Sequence, residues 1–390
     1  MTMDLRQAEW LKRPETQLIL RALDGDTHRT RIAGGVVRDA VMGRSHSGDI
    51  DMATELLPED VMARAAAAGI AAYPTGIAHG TLTLKAGDTL AEVTTLRRDV
   101  ETDGRHAVVA FGTDWLEDAQ RRDFTMNALY CAADGTLYDP LGGAADARNG
   151  LVRFIGDPEL RIAEDGLRVY RFFRLTASHG GQRLDGEGLE ACASAVGQLG
   201  HLSRERIGGE MMRMLALPQV ALTLAVMSEI KLLTLSDAVL RSLVAYEEFG
   251  GQSPAARLAL LAGGEWDRIQ SEWRLSKDTI ANARAIAAAA ALLTDEKVAE
   301  AAYRHGEVAV EGLAVAAAQG GWNRARLAET ARALGALVVP PFPLRGNDLA
   351  ELGMPPGPAL GKELARLEQL WIGSGFTLSK AELLGQARLG

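Results

Sequence analysis

The feature that most constrains the fold is a change of hydrophobic pattern near residue 140. Before it, short apolar runs separated by turns predict strands at 30–33, 49–53, 81–84, 90–95, 129–132 and 137–139. Helices are predicted there at 36–42 and 58–68. From about residue 157 onward, helical periodicity dominates until the sequence PPFP at 340–343 interrupts it. The pattern therefore predicts an α+β head with a small mixed sheet, followed by an all-α remainder.

Composition sets broad limits on the class of protein. The chain has 390 residues, 47% of them hydrophobic, which is enough for several domains with buried cores. The net charge of −9 does not exclude RNA binding, because binding needs only a local basic surface. Cys131 and Cys192 fit no metal-ligand spacing, so we expect buried thiols in a reducing compartment.

Targeting signals are not predicted. The first residues lack the basic-then-apolar pattern of a signal peptide, and no apolar run approaches the ~20 residues that span a bilayer. We therefore expect a cytoplasmic protein with no membrane partner. The sequence does not indicate an oligomeric state.

Two short motifs in the predicted head are suited to phosphate chemistry. Residues 34–39 (GGVVRD) place two glycines between a strand and a helix, where the backbone can approach a phosphate, and Arg38 adds a charged donor. In residues 48–51 (GDID), Asp49 and Asp51 are two apart on a predicted strand, so both carboxylates share one face. Either motif alone is more often only a turn or a solvated strand edge. Together, some ten residues apart, they favour two-metal phosphoryl transfer.

A third motif, residues 121–128 (RRDFTMNA), packs two arginines, a carboxylate and an amide closely together. Such a group can hold a triphosphate and a ribose hydroxyl. The alternative is a helix start capped by Asp123 or Thr125. Spacing alone does not decide between the two.

A fourth motif, residues 164–174 (EDGLRVYRFFR), repeats arginine every three residues among apolar and aromatic residues. On a helix this makes a mostly buried surface with one basic stripe. Buried arginines need partners, so the stripe serves either a ligand or internal salt bridges.

Asp165 and Arg168 within this motif form a candidate base-selecting pair. We expect them to be neighbours at i and i+3 on one helix. A carboxylate can accept from the exocyclic amine of adenine or cytosine, while a guanidinium donates to the adjacent ring nitrogen. Guanine and uracil present a carbonyl oxygen and a ring N–H instead. The pair would therefore accept ATP and CTP without a template.

With these motifs in this order, the chain resembles the bacterial class II CCA-adding enzymes of the tRNA nucleotidyltransferase/poly(A) polymerase family. The resemblance covers roughly residues 30–180 and returns weakly at 346–353 (GNDLAELG) and 355–361 (PPGPALG). It implies a head (1–140), a nucleotide-selecting neck (141–205), an RNA-binding helical body (206–339) and a tail (340–390). One departure is Gly166, where a bulkier residue is common, and it affects only the start of the local helix.

The resemblance also implies roles for individual residues. Asp49 and Asp51 take the place of the catalytic carboxylates that bind Mg²⁺, with Glu92 as a loosely held third. The nucleotide-binding positions are Gly35, Arg38, Arg122, Asp165, Arg168, Arg171 and Arg174, and Asp123 faces the ribose. Residues 97–105, charged and without apolar periodicity, stand where the family has a flexible loop that helps the switch from C to A addition.

The implied activity is template-independent addition of CCA to the tRNA 3′ end from CTP and ATP, with release of pyrophosphate. Several alternatives stay open. A poly(A) polymerase would carry a Gly-Arg/Lys-Arg/Lys-Phe segment, where this chain has GIAHGT at 76–81. The charged loop argues against CC-only addition, whereas A-only addition is not excluded.

Three further classes are less favoured. A non-catalytic RNA-binding protein would not need the two aspartates, and an antibiotic nucleotidyltransferase would not need the long helical region. A histidine–aspartate phosphohydrolase domain is not indicated, because none of the seven histidines precedes an aspartate.

Overall fold

The structure is a computed structural model that describes residues 5–46, 48–102 and 107–388. The strands are β1 (Thr30–Ala33), β2 (Ile50–Thr54), β3 (Ala71–Gly76), β4 (Thr81–Ala86), β5 (Thr89–Thr95), β6 (Arg97–Thr102), β7 (Ala107–Phe111), β8 (Tyr130–Cys131) and β9 (Leu137–Tyr138). The first ten helices are α1 (Glu9–Lys12), α2 (Pro14–Ala22), α3 (Gly35–Val41), α4 (Pro58–Ala67), α5 (Trp115–Gln120), α6 (Gly143–Asn149), α7 (Pro158–Glu164), α8 (Leu167–His179), α9 (Gly186–Ala195) and α10 (Arg204–Leu215).

The later helices are α11 (Ala221–Glu229), α12 (Asp237–Glu248), α13 (Pro254–Ala262), α14 (Trp266–Trp273), α15 (Lys277–Thr294), α16 (Val298–His305), α17 (Val308–Gln319), α18 (Arg324–Ala336), α19 (Gly346–Glu351), α20 (Pro358–Gly373) and α21 (Lys380–Gly385). The chain divides into two compact units, residues 1–214 with 226–233, and residues 215–225 with 234–390. The first unit contains the sheets and the second is helical. The predicted α+β head followed by helices is thus confirmed.

The main sheet of the first unit has seven strands in the order β3-β4-β5-β2-β1-β8-β9. Only β2 and β5 pair in parallel, and the other neighbours in this sheet are antiparallel. The sheet is therefore mixed, as predicted. Its central strands β1, β2 and β5 carry the turn and the carboxylates of the candidate site.

Aromatic packing fixes α8 in the first unit. Phe172 stacks on Phe154 with ring centroids 5.5 Å apart, and Phe154 packs on Phe124 at 4.8 Å. Phe172 is fully buried, whereas the side chain of the preceding residue, Arg171, is partly exposed. The apolar side of the 164–174 motif thus holds α8 against residues 121–128, and the arginine side is left facing a cleft.

The second unit contains a fully buried cation. Arg257 on α13 donates from Nη1 to the carbonyls of Leu215 (2.7 Å) and Leu217 (2.5 Å), and from Nη2 to Pro218 (2.7 Å). Burial lowers the pKa of Arg257, and the Glu247 carboxylate opposes that shift. A separate apolar cluster around Trp371 forms the core of residues 344–383.

Two smaller predictions can be checked directly. Cys131 and Cys192 are both buried thiols, as expected. Among the described residues, the helices are all too short or too polar to cross a membrane.

The structure corrects three local expectations. Residues 97–102 form strand β6, which pairs with β7 in a two-stranded sheet, so this segment is not wholly irregular; residues 103–105 of the expected loop lie outside the described residues. Strand β3 was not predicted, because none of its residues is buried and it shows no apolar alternation. Asp49 precedes β2, which begins at Ile50.

A fourth correction concerns the base-selecting pair. Asp165 is not on the helix of Arg168, because α7 ends at Glu164 and α8 begins at Leu167. Asp165 has an extended backbone (φ −149°, ψ 102°), and its Oδ1 accepts from the Leu167 N–H at the start of α8.

Candidate nucleotide-binding cleft

The candidate site is a cleft of about 550 Å³ in the first unit. Its lining residues are Gly34, Gly35, Arg38, Asp51, Arg97, Arg121, Arg122, Asp123, Asn127, Asp165, Arg168, Arg171, Arg174, Leu175 and His179. Seven of these are arginines and three are aspartates, so the cleft is strongly cationic although the chain is acidic. A cleft of this charge attracts polyanions.

The turn between β1 and α3 brings backbone close to the charged groups. Gly34 has φ +71° and ψ −131°, a conformation that favours glycine. A Cβ on Gly34 would lie 3.5 Å from Arg122 Nη1 and 3.8 Å from Asp51 Oδ2. The glycine pair, the aspartate and the arginine, which come from three separate motifs, therefore meet here.

Arg38 is buried and held by its neighbours. Its Nε and Nη2 donate to Asp39 Oδ1 at 2.9 and 2.7 Å, and Nη1 donates to Asn127 Oδ1 at 2.8 Å. Burial lowers the pKa of Arg38, and the Asp39 carboxylate opposes this. The remaining N–H groups of a guanidinium with five donors are available for a ligand in the cleft.

Asp39 is the centre of a buried polar network that sequence reasoning did not identify. His46 Nδ1 hydrogen-bonds its Oδ2 at 2.8 Å, and His179 Nε2 hydrogen-bonds its Oδ1 at 3.1 Å. Burial alone would raise the pKa of Asp39. The His179 hydrogen bond, the Arg38 charge and the His46 hydrogen bond more than offset burial and lower the pKa.

Asp49 and Asp51 lie at the start of β2, and both are exposed. Only Asp51 lines the cleft. Glu92 on β5 stands beside Asp51 in the parallel register. Although Asp51 keeps contact with solvent, desolvation by the protein atoms around its carboxyl group raises its pKa; the Glu92 and Asp49 carboxylates raise it further, and Arg122 opposes them.

These three carboxylates concentrate negative charge at one edge of a cationic cleft, and a divalent cation would relieve it. Carboxylate oxygens are the ligands that Mg²⁺ prefers, and it commonly takes only one or two from protein, with substrate phosphates and water completing its shell. Among the residues that the structure describes, no group of three or more His, Cys, Asp or Glu forms a closed metal cage. The residues thus suit a metal that binds together with a phosphate.

Arg122 and Asp123 occupy adjacent positions with different partners. Arg122 donates to Asp118 Oδ2 from Nη2 at 3.2 Å and lies 5.0 Å from the centroid of the Tyr130 ring. Asp123 is buried and accepts from Arg171 Nε at 2.7 Å and from Asn127 Nδ2 at 3.1 Å. Burial opposes ionisation of Asp123, but the Arg171 charge prevails and lowers its pKa.

Asp165 and Arg168 both line the cleft, although they are not paired with each other. Arg168 Nη1 donates to Glu164 Oε2 at 2.5 Å and to the Arg161 carbonyl at 2.7 Å. Asp165 Oδ1 accepts from the Leu167 backbone N–H at 3.1 Å. Hydrogen bonds to neighbouring protein groups thus hold both side chains in place, and both side chains line the cleft.

Arg171 and Arg174 lie further along the same face of α8. Arg171 is paired with Asp123, and Arg174 Nε donates to Glu210 Oε2 at 2.6 Å. The internal salt bridges considered from sequence are therefore present. They coexist with exposure to the cleft, because both arginines line it.

Several lining residues were not singled out from the sequence. Arg97 and Arg121 were seen only as members of charged segments, while Leu175 and His179 gave no signal.

The fold of the first unit is that of a nucleotidyltransferase head. Residues 30–153 match the family model of the poly A polymerase head domain. This part of the chain is therefore similar to the heads of the tRNA nucleotidyltransferase/poly(A) polymerase family, which confirms the resemblance drawn from the motifs.

Individual relatives carry more specific names. The chain is 46% identical over 189 residues to the zebrafish (Danio rerio) protein named CCA tRNA nucleotidyltransferase 1, mitochondrial, covering 47% of this chain and 43% of that protein. It is 36% identical over 222 residues to the CCA-adding enzyme of Geobacillus thermodenitrificans, covering 55% of this chain and 52% of the relative. The matches thus span about half the length of these relatives.

The similarity to solved structures extends further along the chain. The Bacillus stearothermophilus CCA-adding enzyme in complex with CTP superposes with a TM-score of 0.79 at 28% identity, covering 96% of each chain. The Thermotoga maritima CCA-adding enzyme complexed with tRNA superposes with a TM-score of 0.65 at 18% identity, covering 95% of this chain and 93% of that one. At that identity the second match establishes the fold alone.

Proposed function

We propose that this protein adds CCA to the 3′ end of tRNA from CTP and ATP without a template. The observation that carries the proposal is the meeting in one cleft of the glycine turn, Asp51 and the candidate base-selecting pair Asp165 and Arg168. The names of the relatives support the same substrates. The four-part division into head, neck, body and tail, with RNA bound by residues 206–339, remains part of this proposal.

Asp49 and Asp51 are proposed to bind Mg²⁺, with Glu92 beside them as a candidate third carboxylate. When bound, Mg²⁺ would activate the attacking hydroxyl and stabilise the leaving pyrophosphate. Arg38 and Arg122 are proposed to neutralise the triphosphate, because Arg122 lies near Gly34 and Asp51, and Arg38 lies near Gly35 in the same cleft. Their buried partners Asp39 and Asp118 fix their orientation.

In the proposed reaction the RNA 3′-oxygen forms a bond to the α-phosphorus of the nucleotide. The bond from that phosphorus to the bridging oxygen breaks, pyrophosphate leaves, and the hydroxyl proton passes to solvent. The cationic cleft stabilises charge that develops on the phosphates. No covalent intermediate with the protein is required.

Base selection is assigned to Asp165 and Arg168. Arg168 retains N–H donors beyond those bonded to Glu164, Arg161 and Arg121, so it can donate to N3 of cytosine or N1 of adenine. Asp165 can accept from the adjacent exocyclic amine. A uracil or guanine would oppose like groups at both contacts and leave them unpaired.

The direct test is incubation of a tRNA transcript lacking CCA with each NTP separately and in combination, followed by sequencing of the products. CTP alone should add two residues, and CTP with ATP should complete CCA and stop. Long adenosine tails would identify a poly(A) polymerase. Addition of A only to transcripts that already end in CC would identify an A-only enzyme.

A further inference from the structure

A residue outside every motif considered above contacts the candidate base-selecting pair. Arg206, on the first turn of α10, donates from Nη2 to Asp165 Oδ2 at 2.8 Å. Its side chain is 39% exposed and that of Asp165 is 25% exposed, so the ion pair lies at the border of the cleft. The two residues are 41 positions apart in the sequence.

The same face of α10 makes a second contact with the arginine motif. Glu210 follows Arg206 by one helical turn and is only 2% exposed. It accepts from Arg174 Nε at 2.6 Å. One face of α10 therefore supports the motif at both ends, with a cation against Asp165 and an anion against Arg174.

Asp165 and Arg168 thus each have a separate ion-pair partner. Glu164 holds Arg168 through Nη1, and Arg206 holds Asp165 through Oδ2. A carboxylate has about four acceptor positions. The bonds from Arg206 and from the Leu167 N–H leave room for the amine of a base.

Orientation matters here because Asp165 lies between two helices rather than on one. Its φ of −149° and ψ of 102° are extended, so no helical turn fixes its side chain. A short side chain on irregular backbone needs a partner to keep one rotamer. The Leu167 N–H restrains one oxygen, and Arg206 restrains the other.

We propose that Arg206 is a specificity-determining positioning residue, which orients the Asp165 carboxylate for the exocyclic amine of cytosine or adenine. The inference rests on the proposed base-selecting role of Asp165. Arg206 acts through Asp165 and makes no contact with the base. Its loss should therefore loosen the choice of nucleotide without removing the phosphate contacts of the cleft.

A competing role predicts a different result. Arg206 is partly exposed and cationic, so it could instead bind an RNA phosphate. In that case its removal would weaken tRNA binding and leave the preference among nucleotides unchanged. Nucleotide binding in the absence of tRNA separates the two roles.

The experiment compares Kd for CTP and for UTP, measured by titration calorimetry with Mg²⁺ on the full chain. The variants are Arg206→Ala, Arg206→Lys, Asp165→Ala and the double Asp165→Ala/Arg206→Ala. Arg204→Ala is the matched control, an exposed arginine on the same helix that does not line the cleft. Thermal melts verify folding, and Arg206→Lys, which keeps a cationic donor, tests the role if the alanine variant is unstable.

We expect Arg206→Ala to lower the preference for CTP over UTP about fivefold to tenfold, with partial recovery in Arg206→Lys. The double variant should match Asp165→Ala alone, because the two residues act as one unit. A CTP/UTP ratio unchanged within twofold in Arg206→Ala, a further drop in the double variant, or an unselective wild type would overturn the inference. If wild type prefers CTP but adds no nucleotide to tRNA, the proposed function fails while the positioning role stands on the binding ratios.

Discussion

His179 Nε2 lies 3.1 Å from Asp39 Oδ1, although the two residues are 140 positions apart. Because a carboxylate only accepts, this ring nitrogen carries the hydrogen. Ser178 Oγ lies 2.6 Å from the other ring nitrogen, Nδ1. The bond joins the last residue of α8 to the helix that begins at the glycine turn, so the elements that carry the candidate base-selecting and phosphate-contacting residues share one partly buried hydrogen bond.

This bond predicts a pH-dependent stability. Burial lowers the pKa of His179 despite the opposing Asp39 hydrogen bond. Below about pH 6.5 the unfolded chain therefore binds more protons at this residue than the folded one, and folding weakens as pH falls. Relative to His179→Gln, which keeps a donor but does not titrate, wild type should lose up to about 1.4 kcal/mol per pH unit below 6.5.

Urea unfolding between pH 5.5 and 8 measures this difference. His305→Gln, at a partly exposed histidine of the second unit, is the matched control and should follow wild type. Parallel curves for wild type and His179→Gln would show that His179 does not titrate in this window.

Arg257 should be the most costly arginine to remove from the helical unit. Arg257→Met leaves the Leu215, Leu217 and Pro218 carbonyls without their buried donor. Loss of a buried cation from its partners typically costs about 3–5 kcal/mol. Arg284→Met removes an exposed arginine whose partner is fully exposed Asp267, and it should cost less than about 1 kcal/mol. Equal melting temperatures for the two variants would contradict the assignment.

The Asp165 and Arg168 pair is predicted to select the base. Asp165→Ala and Arg168→Ala should each lose about 1–3 kcal/mol of discrimination, which is about tenfold to a hundredfold against UTP and GTP. The rate should fall more in Arg168→Ala, because its arginine stripe also borders the phosphate region. Competition among all four NTPs measures selectivity. A lower melting temperature with unchanged selectivity would assign both residues to packing alone.

The segment at 97–105 is predicted to control the switch from C to A. Replacing it with a Gly/Ser linker should preserve C addition and weaken A addition, because the segment is polar and its strand β6 belongs to a small sheet separate from the main one. Arg97 lines the cleft, so a second variant should keep Arg97 and replace only 98–105. Primer-extension assays on tRNA ending in C or CC give the two rates. An equal loss of both would make the segment structural.

Much of the fold could be predicted because the head strands follow apolar runs bounded by turns. The approach of Gly34 to Asp51 was implicit in the spacing of two motifs, since β1 and β2 are adjacent. The edge strand Ala71–Gly76 could not be predicted, because its residues are exposed or half-buried and contain Pro74.

The support around the site was also beyond sequence reasoning. Arg206 and His179 act through partners 41 and 140 positions away, and a single polar residue on a helix carries no periodic signal for such a contact. The break between α7 and α8 lies at Asp165, whose extended backbone the local sequence does not reveal. The side chains that support the candidate site are therefore set by tertiary contacts, which the motifs alone do not reveal.

Nucleotide addition is proposed to depend on Asp49 and Asp51, the carboxylates at the N-terminal end of β2. The Mg²⁺-dependent rate of CTP incorporation into tRNA lacking CCA, measured for Asp49→Ala and Asp51→Ala, tests this dependence. Asp60→Ala, at an exposed aspartate of α4, is the control. We expect a loss of several orders of magnitude in each of the two variants, with unchanged melting temperatures and a normal rate in the control. Rates within about tenfold of wild type in both variants would show that the two carboxylates do not drive the reaction.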